Sequence, residues 1–177
     1  NENNIYPYVA CPETEAPIRV GSGNTPIISN CEKCWSISEA YDKMNKKVSP
    51  SMDEWLKEAK AHESAEKIGM YLTHNGIVRK SAKAKVRFGE ENTKEVSGML
   101  FSYDPEKVNK AIEETMQMDG IYYVKAWLNE GELHVGDDIM YVLIGGDIRP
   151  RVVDALQFLV GTLKNKCVEE TEIYEAD

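Results

Sequence analysis

At 177 residues, 42% apolar and 29% charged, the chain is long enough for one ordinary domain with a small appendage and too apolar to stay unfolded. No apolar run approaches the roughly 20 residues of a membrane span, and a net charge of −9 argues against nucleic acid as a partner, though not against a local basic pocket for a small anion. Four cysteines, three of them near the N-terminus, make no dense disulfide framework; with no signal pattern in "NENNIYPYVA", a reduced, cytoplasmic protein is expected.

Residues 1–65 read as an appendage. Rich in Pro, Gly, Asn and Ser, they hold two short β-like runs around a Gly-Ser-Gly-Asn turn in "APIRVGSGNTPIIS". Two helices follow, "SISEAYDKMNKK" and "SMDEWLKEAKAHESAEK". Each opens on capping-box spacing, Ser36 with Glu39 and Ser51 with Glu54.

Residues 66–177 read as the main domain. "IGMYLTH" and "GIVRKSAKAKVRF" are predicted strands joined by a hairpin turn at Asn75-Gly76. "VSGMLFSY" is a further strand. "DPEKVNKAIEETMQM" is a helix with Asp104 as N-cap and Pro105 in its first position. The strand "IYYVKAWL" leads through the turn-rich "NEGELHVGDD" to "IMYVLIGG", which is apolar throughout and predicted to be buried on both faces. In the last helix Val152, Leu156, Leu159, Val160 and Leu163 form one apolar stripe. The fold class is therefore α+β, a sheet layered against helices.

This last helix carries Arg149 and Arg151 at its start and Lys164 and Lys166 at its end. Fifteen positions separate Arg149 from Lys164, roughly 22 Å along a straight helix, and return to nearly the same face. Both cations can serve one small anion only if a second copy of the chain supplies one of them.

From about Gly69 to Glu175 the sequence resembles the large, catalytic subunit of molybdopterin synthase, the MoaE family. The resemblance lies in "EGELHVGDDIMYVLIGGDIRPRVVDALQFLVGTLKNK", with its "GEL-x-x-GD" turn, apolar strand, helix-start Arg and "LK" near the helix end, and in "GIVR". It implies the α/β hammerhead sandwich of that family. It also implies an enzyme of molybdenum cofactor biosynthesis, which transfers sulfur from a thiocarboxylated, ubiquitin-like carrier ending in Gly-Gly to cyclic pyranopterin monophosphate. The "YEAD" ending is not that of the carrier. Carried over by position, Lys164 takes the place of the catalytic lysine. Arg79 takes that of an arginine in the substrate-anion pocket. Arg149 takes that of an arginine reaching the neighbouring subunit's pocket in a homodimer. Lys166 is expected on the substrate side. No cofactor is required for this chemistry. The sequence departs from the family at Ile148, where the family has His, at Thr171, where a second lysine is expected, and in the acidic "CVEETEIYEAD". These departures suit the alternative of a non-catalytic dimeric module that binds a pterin, a carrier or another protein.

Cys11, Cys31 and Cys34 have the layout of a zinc ribbon whose second ligand is replaced by Thr14. Three thiolates leave one position open, for His62, His74, Cys167 or water. The other readings are of reduced thiols packed in a small hairpin and of a relic ribbon without metal.

Overall fold

The computed structural model describes residues 8–10, 17–19 and 47–176. The chain divides into two compact units, 1–47 and 48–177. In the first, β1 (Tyr8–Ala10) pairs antiparallel with β2 (Pro17–Arg19). The predicted helix over 36–47 lies mostly outside the described residues, as do Cys11, Cys31 and Cys34.

The second unit opens with α1 (Met52–Ala61), where the Ser51 hydroxyl accepts the Glu54 N–H at 3.3 Å. Two three-stranded antiparallel sheets follow. One has the order β3 (Met70–Ile77), β7 (Asp138–Gly146), β5 (Ile121–Leu128); the other has β6 (Gly131–His134), β4 (Val96–Tyr103), β8 (Val168–Tyr174). The short α2 (Lys83–Phe88) links β3 to β4, α3 (Pro105–Met116) links β4 to β5, and α4 (Arg149–Thr162) follows β7. The expected α+β class with helices packed on a sheet is what the chain adopts.

Strand β7 is the centre of this unit, and its side chains alternate between two apolar environments. Met140, Val142 and Ile144 enter the main core with Val152, Ala155, Leu159 and Leu163. Leu143 faces the other way, against Trp55 and Ala59 of α1. The second sheet joins the main core through Met99, Phe101 and Leu133. Of the predicted stripe, Val152, Leu159 and Leu163 are wholly buried, while Leu156 and Val160 are partly exposed and Ala155 completes the inner face.

Three expectations need correction. Asn75-Gly76 makes no hairpin: β3 continues through it, paired with β7 from Met70 to Ile77, with one register shift between Gly76 and Ile77. The Asn75 amide donates to Asp138 Oδ1 (3.0 Å) and to the Met140 carbonyl (3.2 Å), tying the residue to β7 rather than to a turn. Residues 83–88 are a helix, not a strand; their alternation of basic and apolar residues imitates a period of two. The connection 129–138, expected as turns, contains strand β6. The acidic segment that follows α4 is strand β8, paired along β4.

Candidate functional site

The helix start has a structural use for one of its two arginines. Arg151 bridges Asp147 (2.5 Å) and Asp119 (2.9 Å), and Asp147 also accepts the Ile148 N–H at 2.6 Å. Arg149 stands exposed beside this bridge.

At the other end α4 stops at Thr162 and passes into a single π-helical turn, Leu163–Cys167. Leu163 and Cys167 are buried and anchor the turn; the Cys167 carbonyl accepts the Asp104 N–H at 2.9 Å. Lys164 and Lys166 are exposed between the anchors and serve different cavities. Lys164 lines a cavity with Arg79. Lys166 faces Lys107 and Cys167 elsewhere. The straight helix assumed from sequence therefore ends short of Lys164, but Arg149 and Lys164 remain at opposite ends of α4, and only Lys164 enters the cavity.

Arg79 is aimed by the "GEL-x-x-GD" turn. Gly136, at φ 90°, donates to the Val78 carbonyl at 2.8 Å, and Val78 donates to the Asp137 carbonyl at 3.0 Å. A side chain at 136 would be strained at that φ. With Val78 clamped and buried, Arg79 emerges at the cavity, its Nε donating to the Ser81 carbonyl at 3.1 Å.

The cavity measures about 90 Å³ and holds six charged side chains: Arg79, Lys83, Arg87, Lys164, Glu170 and Glu172. Four cations against two carboxylates give a formal +2 on a chain of −9. Sequence reasoning missed Lys83 and Arg87. As a helix, residues 83 and 87 share a face at i,i+4; read as a strand, they dissolve into an alternating run. It also placed the expected second lysine at Thr171. Strand alternation turns Thr171 away while Glu170 and Glu172 line the cavity.

Beside the cavity, on β3, lies His74. Its Nε2 is buried without a hydrogen-bond partner among the described residues. Burial first, and the Lys164 ammonium second, push the imidazole below its ordinary value of 6.5. Such a group binds fewer protons folded than unfolded, so its contribution to stability is complete above pH 6.5 and is lost as pH falls below it. His74→Phe is expected to flatten this acid limb in pH-dependent thermal melts. Lys164→Ala is expected to raise the His74 pKa measured by NMR titration; an unmoved value would show that the two groups do not sense each other.

Among the described residues, no group of three His, Cys, Asp or Glu side chains could hold a metal ion, and no helix is long and apolar enough to cross a membrane.

The model of the MoaE protein family matches residues 48–166. The chain belongs to the MoaE family. Solved structures with the same fold include molybdopterin synthase from Staphylococcus aureus (15% identity, 73% of this chain and 90% of that one, TM-score 0.56). Another is molybdopterin cofactor biosynthesis protein E from Burkholderia multivorans (18%, 73% and 84%, TM-score 0.55). A third is the complex of subunits 1 and 2 of the molybdopterin-converting factor from Helicobacter pylori (16%, 73% and 82%, TM-score 0.51). No curated protein matches the sequence. The MoaE match covers α1 and the whole of α4, so the helix at 52–61, expected in the appendage, lies within the matched region.

Proposed function

We propose that this MoaE chain acts in molybdenum cofactor biosynthesis as a sulfurtransferase subunit, passing sulfur from a thiocarboxylated Gly-Gly carrier to cyclic pyranopterin monophosphate. The observation that carries this reading is the meeting of Arg79 and Lys164, remote in sequence, in one cationic cavity. Relatives of the same fold, a molybdopterin synthase and a complex of converting-factor subunits, support it. Arginine forks hold a phosphate with directional hydrogen bonds. Lys164 supplies a titratable amine where charge develops during transfer. Incubation of the chain with the pyranopterin and the thiocarboxylated carrier should yield the dithiolene product. Absence of product, with pterin or carrier still bound, favours instead the non-catalytic module, a reading that Glu170 and Glu172 in the cavity support.

Arg149, at the far end of α4, fits a two-fold dimer in which it reaches the partner's cavity. Dimers pairing an Arg149→Ala subunit with a Lys164→Ala subunit should then keep one intact site and about half the activity, because the two lesions fall in the same site. Mixed dimers as inactive as either single-variant homodimer would exclude composite sites.

A further inference from the structure

Lys83 and Arg87 lie outside everything the family resemblance assigns. They stand one turn apart on α2, and both line the cavity of Arg79 and Lys164. At about 90 Å³ the cavity has room for a phosphate-sized group.

The two carboxylates in the cavity are not held alike. Glu172 is tied at both oxygens: Oε1 accepts the Lys83 N–H and Oε2 accepts the Tyr174 hydroxyl, each at 2.9 Å. Glu170 is not. Its side chain is only 17% exposed, and its Oε2 reaches Lys83 Nζ at 4.0 Å, beyond hydrogen-bonding distance. Its Oε1 is buried with no partner among the described residues. A buried carboxylate oxygen without a donor is costly, so Glu170 balances the cations without being well bound by them. It also sits on β8, which among the described residues pairs with β4 alone, and its side chain can change rotamer without disturbing the ladder.

We propose that Lys83 and Arg87 complete, with Arg79 and Lys164, a seat for one phosphate-sized anion, and that Glu170 is the resident counter-ion which that anion displaces. A phosphate group brings more acceptor oxygens to the four cations than one poorly bound carboxylate does, even where, as a cyclic diester, it carries a single charge. The inference rests on the proposed function only for the identity of the phosphate bearer; the seat itself can be tested without turnover.

The probe is inorganic phosphate, titrated into the full chain at low ionic strength by calorimetry or NMR, with acetate in parallel. Lys83→Ala and Arg87→Ala should each weaken phosphate binding about tenfold or more, as expected for lost charged hydrogen bonds. Glu170→Gln should strengthen it several-fold, and Lys57→Ala, on the exposed face of α1, should leave it unchanged. Melting curves identify any variant that fails to fold; for such a variant, Lys83→Gln or Arg87→Gln takes its place. The proposal is overturned if the native chain binds no phosphate at millimolar concentration, or if acetate binds as well as phosphate. It is equally overturned if folded Lys83 and Arg87 variants bind like the native chain, or if Glu170→Gln binds no more tightly. Phosphate binding with these responses but without sulfur transfer would remove the proposed activity and leave the seat standing.

Discussion

Lys164→Ala is expected to reduce sulfur transfer by about 10²–10⁴-fold, the range over which a positioned proton-transfer group contributes, while leaving the melting temperature unchanged. The side chain is exposed on the π turn, and the turn is anchored by Leu163 and Cys167 on either side of it, so removing the amine opens no hole. Lys164→Arg is expected to fail as well. It keeps the positive charge but cannot release a proton in the working pH range, and this separates an electrostatic role from a proton-transfer role. Single-turnover measurement of dithiolene formation, beside calorimetric melting, decides the matter. Native-like turnover in Lys164→Ala would end the catalytic reading of this residue.

The second large effect is on stability. Leu159 has no exposed surface and packs, with Val152 and Leu163, under the core-facing side chains of β7. Leu159→Ala should cost about 2–5 kcal/mol, which for a chain of this size lowers the melting temperature by about 4–20 °C at roughly 2–4 °C per kcal/mol. Leu156→Ala, one turn earlier but partly exposed, should cost distinctly less. Equal losses at the two positions would contradict the burial described for α4.

The parts of this fold that were legible in the sequence are those where local chemistry and tertiary packing agree. Asp104 and Pro105 start α3 as capping chemistry requires, with Asp104 accepting the Glu106 and Lys107 N–H groups. The unbroken apolar run of β7 reflects cores on both its faces. The "GIVR" and "LK" motifs pointed to Arg79 and Lys164 through the family they resemble, and the hydrogen bonds between the "GEL-x-x-GD" turn and Val78 give the physical reason for the first. The illegible parts are those where the two signals conflict. Asn75-Gly76 has the strongest local turn signal in the chain, yet pairing with β7 holds it extended. "KAKVRF" alternates like a strand while Lys83 and Arg87 need a helical turn to reach one cavity. The glutamates of "EETE" look like a solvated tail because charge alone does not tell which way an edge strand faces.

The π turn sets the parity of all that follows it. A strand read from Cys167 presents every second residue to the cavity, so one residue added to or removed from 163–167 would invert the order. Glu170 and Glu172 would turn to solvent, and Glu169, Thr171 and Ile173 would replace them. The position at 171, where the resemblance expects a lysine, would then face the cations without any change of side chain. Relatives that differ by a single residue in this turn therefore need not have equivalent residues at equivalent alignment columns in β8. For them the count of residues between Leu163 and the strand, rather than residue identity, tells which side chains line the cavity.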